Sequence, residues 1–361
     1  MATGASPLWN SSIDPSSGIF ETGDGNDTAS GWSWLPLVWN WWVILQLMSA
    51  VLGMAGNLLV ILVLYQCRAA SRSTDILVGS LATADFLASF LMIPIPPHQT
   101  VPVSRIGNVY CWFVGNSTIM WICLTASTFN LVAISCDRYF AIVHPLQFMR
   151  YVTKGRVRVS VLLIWAAVFI LVGLPICISY GVDSDKRTCG FLFESSTAKA
   201  VYGWFIFLLR LIIPTMILVV TQSAIAIVLH RESKAFRKDV NGAMHSQRSV
   251  HLEARDHVIK LMLIVSIAFI ICWSPSQIFF FGINIGFISF EYLYTPTQRI
   301  CKVLTLCNSC LNPIIYIARH PHFRVAVKEL FNGSKAMKNR GPIFEHKTVN
   351  RESSVTLSTI A

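Results

Sequence analysis

A chain of 361 residues with 54% hydrophobic and only 13% charged side chains is not composed like a soluble domain, where about a quarter of residues are charged. The formal net charge of +11 does not point to nucleic acid, because the basic residues are dispersed between apolar stretches rather than gathered on one. The length would allow two soluble domains, but apolar runs long enough to cross a bilayer recur along it.

Residues 1–40 form a polar tail expected to be disordered and outside the cell, with glycosylation sequons at Asn10 and Asn26. Seven apolar segments follow, at about 41–66, 75–97, 111–140, 155–179, 200–229, 255–285 and 295–317, each able to span the roughly 30 Å hydrocarbon layer as a helix. The expected architecture is an all-α membrane protein, a seven-helix bundle over 41–317. Residues 318–331 have apolar positions at helical spacing among basic ones and predict a short amphipathic eighth helix on the membrane surface, in contact with lipid. Residues 332–361 form a cytosolic tail whose Ser353, Ser354, Thr356, Ser358 and Thr359 are candidate phosphorylation sites for arrestin recruitment. Two further sequons, Asn116 inside a span and Asn332 on the cytosolic side, are discounted.

Orientation follows from Lys and Arg. None precedes Arg68, so the start of the chain lacks the basic flank of a cleavable signal peptide. Arg68 and Arg72 occupy the first loop. Arg150, Lys154, Arg156 and Arg158 occupy the third, and Arg231, Lys234, Arg237, Lys238, Arg248 and Arg255 the fifth. The loop at 98–110 has only Arg105, and the one at 286–298 has no Lys or Arg. The positive-inside rule puts the N-terminus outside a multi-pass protein, and the plasma membrane is the expected location. Cys111 and Cys189 then share the oxidising side and are expected to pair, closing a loop of 78 residues.

Ionisable groups within spans cost roughly 2.5–3.5 kcal/mol at mid-bilayer and mark function. Asp85 stands inside the second segment, with Asn57, Ser127, Asn308, Ser309 and Asn312 as candidate partners in other spans. Such a carboxylate takes amide and hydroxyl partners, a proton or a small cation.

Gly56-Asn57, Leu81-Ala-Thr-Ala-Asp85, Asp137-Arg138-Tyr139, Trp165, Pro214, Cys272-Trp273-Ser274-Pro275 and Asn312-Pro313-Ile314-Ile315-Tyr316 occur in that order on successive segments. Together they resemble the rhodopsin-like (class A) G-protein-coupled receptors over about residues 41–331. The resemblance implies a receptor, not an enzyme, whose partners are an extracellular ligand and a heterotrimeric G protein. It implies that Asp137 restrains Arg138 at rest. On activation Arg138 meets the G protein, with Tyr139, Phe269, Trp273, Pro275, Asn312, Pro313 and Tyr316 as parts of the switch. It also implies an allosteric sodium ion, the one cofactor expected, on Asp85, Ser127, Asn308, Ser309 and Asn312.

Several positions depart from the family's pattern. Gln222 replaces a frequent Tyr of the fifth span, Arg255 a frequent acidic residue at the base of the sixth, and Thr128 an aliphatic one. Cys111 lies two residues farther from Arg138 than is usual. Met120, about 27 Å along a helix from Arg138, occupies the site where amine receptors carry an Asp, and Leu306 that of the opsin Lys. Neither an amine nor retinal is therefore expected. Arg210 and Lys302 favour an anionic ligand group, and Trp121, Gln277, Phe281 and Asn284 join them as candidate pocket walls by helical position. A neuropeptide is the preferred ligand, since the loop 181–200 is long and mixed in charge; an anionic small molecule or lipid is the alternative. A cation-coupled transporter is disfavoured because the two halves show no repeat. A metal-dependent hydrolase has no HExxH to rest on.

Overall fold

The computed structural model describes residues 31–66, 73–192, 195–238, 245–289 and 295–332. Side chains at 232–233, 235–259 and 321–322 are outside that description. Asn10, Asn26, Arg68, Arg72, the distal tail and the side chain of Arg255 thus fall outside it.

Among the described residues, seven helices are long and apolar enough to cross a membrane: Trp41–Gln66, Ser73–Leu91, Arg105–Val143, Lys154–Ser179, Ser196–Arg231, Lys260–Asn284 and Pro296–Arg319. Their ends follow local chemistry. Ser104, Thr153 and Thr295 each cap a helix N-terminus by accepting the backbone N–H three residues on, from Gly107, Arg156 and Gln298. The second helix stops at Leu91 rather than near 97, because Pro94, Pro96 and Pro97 follow at once and cannot continue it. The third begins at Arg105, where Ser104 caps it, and the sixth at His245, both earlier than expected, since polar residues extend them beyond their apolar portions. The eighth helix is Pro321–Phe331, not 318–331, because the seventh runs on to Arg319. His320 caps it through Nδ1, 3.2 Å from the Phe323 N–H, and buried Phe323 and Ala326 seat it on the bundle.

Three spans contain a π-helical turn: Cys111–Gly115, Phe169–Gly173 and Leu208–Ile212. The last two lie just before Pro175 and Pro214. A proline offers no N–H to the carbonyl four residues back and its ring crowds that carbonyl, here Leu171 and Arg210, so the helix widens there. The first has another cause. Its turn, with Ser117 in the left-handed region (φ 53°), absorbs the two extra residues between Cys111 and Arg138 and leaves Thr118–Val143 a regular helix.

The core runs the length of the bundle through Leu81, Leu124, Ile134, Phe269 and Trp273. The first helix packs closely on the seventh: a Cβ on Gly56 would lie 2.8 Å from that of Pro313. The fourth helix buries little, with Trp165 Nε1 donating to Ser80 Oγ at 3.3 Å. Over one end of the bundle, β3 (Tyr180–Asp183) and β4 (Thr188–Phe191) form an antiparallel hairpin. At the same end the expected disordered tail departs from expectation. Ser33–Trp34 forms β1, paired antiparallel with β2 (His98–Thr100), and Trp32, Trp34, Tyr110 and His98 stack edge to face around it. Burial pushes the pKa of His98 below the ordinary imidazole value.

Candidate functional site

Polar side chains in the bundle form three layers between the hairpin end and the opposite end. At the far end, the third helix delivers Asp137 and Arg138, each 7% exposed. Arg138 Nη2 and Nε donate to Asp137 Oδ2 at 2.6 and 3.2 Å. The Thr74 hydroxyl donates to the same oxygen at 2.7 Å and also contacts Arg138 Nη2. Thr74, on the second helix, was not singled out from sequence; nothing in its spacing marks it. Tyr139 turns outward against His144 and Phe140. Beside this knot, Gln222 Nε2 donates to Ser135 Oγ at 3.0 Å, and Ser135 Oγ lies 2.7 Å from Thr221 Oγ1. The residue that replaces the family's tyrosine thus ties the third and fifth helices together.

The middle layer centres on Asp85, fully buried. Ser309 Oγ and Asn312 Nδ2 each donate to one carboxylate oxygen at 2.8 Å, and the Ser127 hydroxyl reaches Asp85 as well. Asn308 is buried on the same stretch of the seventh helix. Pro313 cannot donate to the Ser309 carbonyl, four residues back. Asn57 Nδ2 supplies that missing hydrogen bond from the first helix at 2.9 Å. One proline thereby couples three helices through a single residue, Ser309. Tyr316 is buried below, its ring 6.2 Å from Phe323.

A buried carboxylate with hydroxyl and amide side chains around it suits a small hard cation. Asp85, Ser127, Ser309 and the amides of Asn308 and Asn312 are the chemical set that would hold sodium.

Toward the hairpin end, Phe269 and Trp273 are both fully buried with ring centroids 5.8 Å apart, as residues four apart on one helix face must be. Pro275 interrupts the helix just beyond. Ser274 Oγ donates to the Ile270 carbonyl at 2.6 Å, and Thr305 of the seventh helix reaches the Cys272 carbonyl at 3.2 Å. Such side-chain insertions make a proline kink a defined pivot.

The predicted pocket residues divide. Met120, Arg210 and Gln277 are buried, and the Arg210 guanidinium lies 4.8 Å over the Trp121 ring. Tyr202, not anticipated, is near enough to interact electrostatically with Arg210. Lys302 is half-buried. Phe281 and Asn284, in contrast, face the fifth helix: Phe281 stacks 4.5 Å from Phe207 and meets Trp204, and Asn284 packs on Gly203. Above, Cys111 and Cys189 are disulfide-bonded, with Cα atoms 5.3 Å apart, as expected from sequence. The hairpin is fastened further by Trp112 Nε1 to the Tyr180 carbonyl (2.6 Å), the Val182 N–H to Asn108 Oδ1 (2.9 Å) and the Val101 N–H to the Arg187 carbonyl (2.7 Å).

A seven-helix bundle with these layers defines a membrane receptor class. A model of the family described as 7 transmembrane receptor (rhodopsin family) matches residues 56–316, and the chain belongs to that family. It is therefore a multi-pass G-protein-coupled receptor, which binds an extracellular ligand and activates heterotrimeric G proteins; the family is one of receptors rather than enzymes. The chain is 26% identical to an allatostatin-A receptor of Bombyx mori over 78% of its own length and 76% of the relative's. It is 30% identical to the growth hormone secretagogue receptor type 1 of Sus scrofa over 78% and 77%. It is similar too, at 29% identity over 82% and 80%, to the histamine H2 receptor of Rattus norvegicus.

Proposed function

We propose that the hairpin end faces outside the cell, that it admits a peptide ligand, and that Asp137 and Arg138 form the switch read by the G protein. The observation carrying the switch is the buried Arg138–Asp137–Thr74 knot at the end opposite the disulfide. Arg150, Lys154, Arg156 and Arg158 flank the same end, which by the positive-inside rule is cytosolic. Ligand pressing on the layer around Trp273 and Phe269 would act on the sixth helix at its Pro275 pivot and move its cytosolic half outward. Arg138 then exchanges Asp137 and Thr74 for the G protein, and two arrangements close in energy make that exchange a switch.

A peptide is preferred over an amine because Met120, an uncharged residue, occupies the amine receptors' acidic position. Asn10 and Asn26 would carry glycans on the outer tail, and the distal serines and threonines would recruit arrestin after phosphorylation. The direct test challenges cells with pools of peptides, lipid acids and amines while nucleotide exchange is followed on a panel of Gα subunits. A peptide response is expected; a response to the amine pool alone would overturn the ligand class.

Sodium on Asp85 would brace the second, third and seventh helices in the resting arrangement. In the wild type, replacing sodium by a bulky organic cation is expected to change agonist affinity by about tenfold. Asp85→Asn keeps the shape but removes the charge, and its affinity is expected to be indifferent to sodium. An unchanged sodium response in that variant would remove Asp85 from the site.

A further inference from the structure

The geometry points to a recognition site for a carboxylate borne on an apolar body, with Arg210 as its anchor. This rests on the receptor reading and names the ligand chemistry that reading leaves open.

Arg210 is 6% exposed, and its Nε and Nη2 have no hydrogen-bond partner. Arg138 pairs with Asp137 and Lys186 with Asp183, whereas Arg210 has no such partner among the described residues. What it touches is the face of Trp121, and the nearby Tyr202 is a phenol, not a carboxylate. An arginine does not lose its proton, so a buried guanidinium without an anion retains an unmet demand for one. The position is built rather than incidental: Pro214 widens the helix at the turn Leu208–Ile212 that carries Arg210. A second observation lies on the sixth helix. Trp273 Nε1 is a buried donor without a partner, and Gln277 Oε1, one turn on, is a buried acceptor without one. Orphaned buried groups are normally avoided. Among these orphaned groups the donors outnumber the acceptor, as a carboxylate requires, and the indole of Trp121 offers apolar surface beside Arg210. The single acceptor suits an N–H next to the carboxylate.

Two natural sources share this chemistry, the free C-terminus of a peptide ending in an apolar residue and a free lipid or aryl acid. The test uses purified full-length receptor in detergent and reads melting temperature, so it does not depend on G-protein coupling. Its failure is thereby separable from failure of the Arg138 switch. Without ligand, Arg210→Met keeps the apolar stem and removes the unmatched charge, and it is expected to melt roughly 3 °C or more above wild type. A fall in melting temperature would show that Arg210 is a structural group on Trp121 and overturn the proposal.

The probes are matched pairs: tripeptides ending in Phe or Leu as free acid or amide, and 4-phenylbutyrate and decanoate with their amides. On wild type the acid of at least one set is expected to stabilise at concentrations about 10- to 100-fold below its amide. Arg210→Gln should erase that difference. A peptide-acid preference assigns the source to a C-terminus, and a preference confined to the simple acids assigns it to lipid. Equal action of acid and amide, silence from every acid, or an acid preference surviving in Arg210→Gln would each overturn the site.

Discussion

Arg138→Ala is expected to lose agonist-stimulated nucleotide exchange by about 100-fold or more, because the guanidinium supplies charge-assisted hydrogen bonds worth about 1.5–3 kcal/mol each to whatever it engages. Asp137 and Thr74 hold the side chain in this structure, so removing it also deletes the proposed restraint. Alanine leaves Asp137 buried with Thr74 as its remaining donor, an arrangement that can cost about 3–5 kcal/mol. Loss of signal from misfolding must therefore be separated from loss of the switch. Arg138→Lys does so, since it keeps the charge but not the fork that satisfies two partners. It should reach the cell surface and still fail to couple. Asp137→Asn moves the other way: it frees Arg138, and exchange without agonist should rise above wild type. Measuring exchange and surface expression for all three decides the matter. Wild-type signalling from Arg138→Ala would take the role from this residue.

Cys189→Ser is expected to destabilise the fold by roughly 4–5 kcal/mol, the chain-entropy value for a closed loop of its size. The bond joins residues 78 apart, and both cysteines are essentially buried. The hydrogen bonds from Trp112 and Val182 remain, so the hairpin should loosen rather than be lost. The expected result is poor surface expression and, in the fraction that arrives, weaker agonist binding with the coupling end intact. Cys111→Ser should give the same result, and the double variant no more than either alone. Additive losses in the double variant would mean the two cysteines act separately.

The number of spans, their order and the motif residues were legible because they depend on composition and on fixed local spacing. Phe269 and Trp273 share a face for the same reason. The partners that complete each layer were not legible. Thr74, Ser135, Thr221 and Thr305 are ordinary residues in sequence and gain meaning only when distant helices meet. The end of the second helix could have been read from Pro94, Pro96 and Pro97, but an apolar window ran past them. The break at Ser117 is subtler. Two extra residues were visible, yet whether they sit in a loop or inside a helix depends on how Cys111 is tethered to Cys189. The contacts of Phe281 and Asn284 with the fifth helix were not legible either: the helix period fixes which residues share a face, not which neighbour that face meets.

The three π-turns all lie in the hairpin-side halves of their helices, and beyond each one the helix toward the switch is regular. One residue gained or lost at such a turn rotates everything on its outer side by about 100° while the inner side keeps its register. The bundle therefore has joints at which its outer half can be re-indexed without touching the Asp85 layer or the Arg138 knot. Single-residue insertions, which would scramble an uninterrupted helix, become a means of changing which side chains a ligand meets. Recognition in this receptor can diversify while its dialogue with the G protein stays fixed.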